Sequence, residues 1–306
     1  VHALAQISDK WVGPQRWWAS AGRWCAIIGL LMGLLSLSGC SAVRLAYNNA
    51  PDFGYWWLDG YFDFDGPQSL RLREDLKALQ AWHRKDELPQ LAETLKNLHT
   101  AAPQDVTPAQ VCQLSHFLEE RVQTTLDRAA PTAIALGPTL STTQLDHLAR
   151  ALDKRNREWR EEWLDGTPAE RTERRMKKLV ERAEGFYGRL NEAQLKLLQS
   201  QLDDSAFDAS LQYREVLRRQ QDTLQTLRAL RNSSPSDIHV QAEVRALVAR
   251  SLQSPDPAFR QYTERVREQA CQAIATFHNR TSGPQRQRLQ DTLKGYEGDA
   301  RALMRP

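Results

Sequence analysis

Residues 141–159 read STTQLDHLARALDKRNREW, and this stretch decides the fold class. Ser141 is followed three residues later by Gln144, then by Leu148 and Leu152 at four and eight beyond the glutamine. Such a box closes a helix start from both sides. The serine side chain accepts from the backbone N–H three residues on, and the glutamine reaches back to the N–H of the cap itself. The leucines then fall one turn apart on a single face. The pattern recurs at Asp65/Gln68, Thr107/Gln110, Asn191/Gln194 and Ser282/Gln285, each followed by leucines at the same offsets. Pro67, Pro108 and Pro284 stand in first turns, where a missing N–H costs nothing. The starts are spaced irregularly and carry no repeat consensus, which excludes a solenoid of fixed period.

Further starts are expected near Asp208, Asp237 and Asp256, giving about eight helices. Apolar residues recur every three to four positions along the chain, and strand signals are nearly absent. The fold class is therefore all-α, an antiparallel multi-helix bundle whose short loops pair neighbouring helices. Leu145, Leu148, Leu152, Trp159 and Trp163 form one expected seam. Val111, Leu114, Leu118, Val122, Leu126 and Ala129 form a second, and Phe259, Tyr262, Val266, Ile274 and Phe277 a third. Pro89 and Pro131 are expected to kink or interrupt their helices. Trp-Leu-Asp-Gly occurs at 57–60 and 163–166, where each glycine suits a helix C-cap.

The N-terminal stretch stands apart. An apolar run from Cys25 to Leu37 follows Lys10, Arg16 and Arg23. It is shorter than the roughly 20 residues a spanning helix needs and fits the apolar core of a secretory signal. Leu37-Ser38-Gly39-Cys40 resembles a bacterial lipobox, which implies cleavage before Cys40 and acylation of its thiol and new amino terminus. Residues 1–39 are then a signal peptide, and 40–306 a single helical domain tethered through Cys40. Signals of this kind with Asp after the cysteine resemble inner-membrane retention signals, so Ser41 points to the outer membrane, facing the periplasm. Val1 stands where methionine is expected; we read a GTG start, with the true start nearer Val12.

Without residues 1–39, 38 basic and 37 acidic residues remain of the 41 and 38 in the whole sequence. That balance excludes the concentrated basic footprint of a nucleic-acid binder. Cys112 and Cys271 survive cleavage besides Cys40, and an even pair in an exported chain reads first as a disulfide.

The stretch CSAVRLAYNNAPDFGYWWLDGYFDFD (40–65) resembles the start of a family of bacterial lipoproteins known only as a domain of unknown function. Ala81-Trp82-His83-Arg84, Asn156–Leu164, Glu181–Gln194 and Gly295-Tyr296-Glu297 carry the resemblance along the chain. It implies a location and no activity, substrate or cofactor.

No residue pattern spells out catalysis. The histidines at 83, 99, 116, 147, 239 and 278 lack metal-ligand spacing and read as helix-surface residues. There is no Gly-x-Ser-x-Gly elbow and no Walker loop. Helical lytic transglycosylases carry a catalytic Glu-Ser pair, and none exists here, so a peptidoglycan-acting enzyme is the third choice. No cofactor is expected.

Two clusters invite a functional reading. Phe53, Tyr55, Trp56, Trp57, Tyr61, Phe62 and Phe64 either pack a first helix into the bundle, which is preferred, or rest at a membrane interface. Arg171, Arg174, Arg175, Lys178 and Arg182 recur at helical spacing, either as a solvated face paired with Glu170, Glu173 and Glu181 or as a cationic stripe. Asn156 interrupts an apolar seam and is expected to be buried. It either fixes helix register or joins Arg160, Arg175 and Arg182 in a polar pocket for an anionic group. The leading function is a lipid-anchored scaffold for envelope partners; the alternative is a carrier enclosing a lipid or wall fragment.

Overall fold

The computed structural model describes residues 40–234 and 236–305, and among them every regular element is helical. The helices are α1 (Cys40–Asn48), α2 (Ala50–Phe62), α3 (Gly66–Trp82), α4 (Leu88–Ala101), α5 (Pro108–Leu136) and α6 (Thr142–Trp163). They continue as α7 (Pro168–Tyr187), α8 (Glu192–Asp203), α9 (Ala209–Leu230), α10 (Ile238–Leu252), α11 (Pro257–Asn279) and α12 (Gly283–Leu303). The eight expected starts open α3, α5, α6 and α8 to α12. The starts of the other four were not marked, for local reasons. Asn49 precedes α2 without a side-chain cap, and α7 opens on a Thr167/Glu170 box that uses glutamate. Leu37, Ser38 and Gly39 lie outside the described residues, and no described helix is long and apolar enough to cross a membrane.

Pro89 widens its helix without ending it. Leu88 N–H reaches back five residues to the carbonyl of His83, so α3 passes through a π turn at His83–Glu87 into α4. The extra residue moves the proline ring away from the carbonyl four residues before it, where a regular turn would clash. Around Pro131, by contrast, α5 is continuous from Pro108 to Leu136.

The five glutamine boxes all form, and four of them do more than cap. Gln68 and Gln144 face each other: Gln144 Nε2 donates to Gln68 Oε1 at 2.7 Å and to the Asp63 carbonyl at 2.8 Å. Gln68 Nε2 donates to the Thr139 carbonyl at 3.1 Å and, more weakly, to Gln144 Oε1 at 3.4 Å. Gln194 and Gln285 repeat the arrangement, with Nε2 to Oε1 distances of 2.8 and 3.0 Å. Their second donations, both 3.2 Å, go to the carbonyls of Arg280 and Arg189. In all four cases that carbonyl lies two residues before the opposite helix's cap. Each glutamine thus closes its own helix and ties the start of another, with α3 joined to α6 and α8 to α12.

Two apolar clusters lie beneath these joints. Ile134, Leu230, Val240 and Val244 pack α5, α9 and α10 together. Leu190, Leu198 and Phe277 gather Met176, Leu179 and Tyr187 between α7, α8 and α11. α12 lies along α4, and α5 along α11, where Cys112 and Cys271 are bonded with Cα atoms 5.5 Å apart.

Some expected seams are only half covered. Leu118, Val122 and Leu126 on α5 and Ile274 on α11 are exposed, because no described helix lies over that side of their stripes. Nor are the histidines uniformly on the surface. His278 is buried, accepting at Nδ1 from Tyr187 Oη (3.0 Å) and donating from Nε2 to the Gln104 carbonyl (2.8 Å). Of the two Trp-Leu-Asp-Gly glycines, Gly166 takes a positive φ of 88° past the end of α6. Gly60 lies inside α2, which is ended instead by Asp63 at φ 50°.

Candidate functional site

The basic helix α7 divides its cations between two tasks. Arg171 Nη1 donates to the carbonyls of Leu164 (3.2 Å) and Gly166 (2.6 Å). Arg174 donates to the carbonyls of Glu162 (3.1 Å) and Asp165 (2.5 Å). These carbonyls end α6, where the helix leaves acceptors unpaired and its dipole favours positive charge. Arg171 and Arg174 are therefore structural.

Arg175, Lys178 and Arg182 project elsewhere. With Trp163, Phe207 and Gln201 they line a pocket of about 310 Å³ between α7, α8 and the loop into α9. No carboxylate belongs to its lining. Arg175 is half-buried, with its guanidinium carbon 4.9 Å from the centroid of the Phe207 ring. Burial holds it below the usual guanidinium range, an effect that nearby Tyr262 only partly offsets. Lys178 Nζ lies 4.9 Å from the Trp163 centroid and pairs with Glu162. Rings at these distances support a cation through their negative faces without neutralising it. Arg175 and Arg182 have no ion pair with any described residue. The pocket thus concentrates positive charge over two aromatic walls, an arrangement suited to a phosphate or carboxylate.

The walls are held by a row of rings. Tyr213 stacks on Trp159 at 5.3 Å, Trp159 neighbours Trp163 at 6.2 Å, and Trp163 meets Phe207 at 5.6 Å. At the far end of the row lies Asn156, 7% exposed. Its amide and that of Gln220 on α9 exchange two hydrogen bonds of 2.8 Å each. Asn156 thus locks α6 against α9 and does not reach the pocket. Arg160 is exposed on α6 and is not part of the lining. Of the four residues grouped from the sequence, Arg175 and Arg182 come together; Asn156 and Arg160 do not join them. Lys178 was legible from its spacing between those two arginines. Phe207 carried no local signal, since only the turn after α8 brings it there.

A larger groove of about 740 Å³ runs between α5 and α11. Three of its charges match one another: Arg267 pairs with Glu119 at 2.9 Å and with Glu264. Among the described residues, no three His, Cys, Asp or Glu side chains gather within reach of a metal.

This is an all-α protein with a cation-lined pocket. It belongs to DUF6279, a family of unknown function whose model matches residues 60–260. Neither a curated protein nor a solved structure matches the chain.

Proposed function

We propose that this protein is a lipid-anchored, non-enzymatic interaction module of the bacterial envelope. On this reading, residues 1–39 are a cleaved signal, Cys40 carries the acyl anchor, and the helical body faces the periplasm from the outer membrane. The body acts as a scaffold by holding an anionic group of an envelope lipid or wall polymer between Arg175, Lys178 and Arg182. One observation carries the binding role: a pocket with three cations, two aromatic walls and no lining carboxylate. Arg175 is half-buried with no carboxylate to offset its desolvation, and the exposed Arg182 beside it has no ion pair with any described residue. The lipobox-like run supports the anchor, and Cys112–Cys271 suits an oxidising compartment. Enclosure of a whole lipid has less support, because the groove between α5 and α11 is open and crossed by ion pairs.

Native mass spectrometry of protein purified from membranes tests the reading. An anionic lipid or glycan fragment should accompany the wild type and be absent from Arg175→Gln/Arg182→Gln. The retained mass also tells a lipid headgroup from a wall fragment. Equal retention by both proteins would remove the pocket from the proposal.

A further inference from the structure

The helix that follows the proposed anchor has two faces of opposite character. On its inner face, Gly54 lies against Leu76, with an added Cβ meeting that side chain at 3.7 Å. Tyr55 Oη hydrogen-bonds to Ser69 Oγ at 3.0 Å, and the Arg73 guanidinium lies 3.4 Å from the Tyr55 centroid. This face packs α2 onto α3. Phe53, Trp56, Trp57 and Gly60 are spaced by three, one and three residues, which places them on one face of a 3.6-residue helix. Phe53 is 59% exposed, Trp56 76% and Trp57 58%. A Cβ at Gly60 would meet nothing within 4 Å. No described residue covers the aromatic stripe of Phe53, Trp56 and Trp57, which ends at Gly60, where His147 Nε2 of α6 donates to the Gly60 carbonyl at 3.1 Å.

Position and area identify what covers it. The apolar run at 25–37 ends just before Cys40, the first residue of α1. α1 is joined to the body, not loosely tethered. Arg44 Nε pairs with buried Asp299 at 3.0 Å, Tyr47 Oη bonds to His83 Nδ1 at 3.0 Å, and Arg84 donates to Asn48 Oδ1 at 3.0 Å. Phe53 lies 13 residues beyond Cys40, at most about 20 Å along helix axes at 1.5 Å per residue. At their observed exposures the three rings offer roughly 290–480 Å² if each aromatic side chain presents about 150–250 Å². That is near half of the roughly 800 Å² per partner in a stable protein interface. It is ample for partial insertion at the headgroup level, where Trp accumulates and an aromatic helix face lies in the plane.

We infer that Phe53, Trp56 and Trp57 form a second, non-covalent membrane contact that seats α2 in the lipid interface beside the anchor. This rests on the anchored reading above and adds to it a fixed orientation of the body on the leaflet. The test uses the full chain purified from membranes and reconstituted in phosphatidylethanolamine–phosphatidylglycerol vesicles with brominated acyl chains. Vesicle flotation reports the anchor, and bromine quenching of tryptophan emission reports the face.

The wild type should float and be quenched. Trp56→Phe/Trp57→Phe should still float with at least two-thirds of that quenching lost, while Trp163→Phe leaves it unchanged. Floating protein without quenching, or quenching that survives in the double variant, would overturn the seated face and leave the anchor standing. Failure to float would overturn both. A dimer dissolved by Phe53→Ser/Trp56→Ser/Trp57→Ser, with no quenching, would assign the face to a second copy instead.

Discussion

Replacing Gln194 with glutamate removes an N–H₂ group that bridges the starts of two helices. Gln194 is 2% exposed. Its Oε1 accepts from the Asn191 backbone N–H at 3.1 Å, a bond that glutamate would keep. Its Nε2 donates to Gln285 Oε1 at 2.8 Å and to the Arg280 carbonyl at 3.2 Å. Glutamate leaves the Arg280 carbonyl without its side-chain donor and sets a carboxylate oxygen against Gln285 Oε1, which keeps the Ser282 backbone N–H at 2.9 Å. An unsatisfied buried acceptor costs about 1–3 kcal/mol, and the start of α8 returns only about 0.3–1 kcal/mol to a negative charge. The expected net loss is about 1–2 kcal/mol, taking the one acceptor left unpaired with that offset. The control is Gln110→Glu. Gln110 forms the same local box with Thr107 but is exposed, and Thr167/Glu170 shows that glutamate suits such a site. That change should stay within about 0.5 kcal/mol of wild type. Urea unfolding followed by circular dichroism gives both values. Equal effects of the two substitutions, or a Gln194→Glu protein as stable as wild type, would refute the crossed-box reasoning.

Asn156→Leu should cost about 1 kcal/mol by removing the partner of the half-buried Gln220 amide, without changing anion binding; Asn156→Leu/Gln220→Leu should recover part of the loss in the same unfolding assay. Reducing or removing Cys112–Cys271, whose sequence separation is 159, should lower stability by about 5 kcal/mol in the chain-entropy account, and wild type unfolded without reductant should titrate no thiol from this pair. Burial holds the His278 imidazole below the usual histidine range, so the unfolded chain binds the proton more readily. Its stabilising contribution is therefore full above about pH 6.5 and is lost as the pH falls below that value. Melting temperature should be flat from pH 8 to 7 and decline towards pH 5, with a shallower decline in His278→Asn.

Local chemistry made the helix starts legible, because a capping box is complete within four residues. What a box touches is another matter. Gln68 meets Gln144 across 76 residues and Gln194 meets Gln285 across 91, so the preference for glutamine over glutamate was visible while its reason was not. Periodicity placed Leu118, Val122 and Leu126 on one stripe but carried nothing about whether another helix covers it. The burial of Asn156 was legible from the interrupted seam; its partner, 64 residues away on α9, was not. The site divided in the same way. The spacing of Arg175, Lys178 and Arg182 marked one face of α7, whereas Trp163 and Phe207 became its walls only through the packing of three segments. Exposure of Phe53, Trp56 and Trp57 went against the preferred core reading, because an aromatic run has no feature that separates a covered face from an open one.

The most direct test of the anion pocket is a titration of inorganic phosphate into ¹⁵N-labelled protein, followed through the tryptophan indole N–H resonances. The Trp163 resonance, assigned by its loss in Trp163→Phe, should shift saturably while that of Trp82 stays in place. The Trp163 shift should vanish in Arg175→Gln/Arg182→Gln. A Trp163 resonance that does not move, or that moves equally in that double variant, would contradict the account.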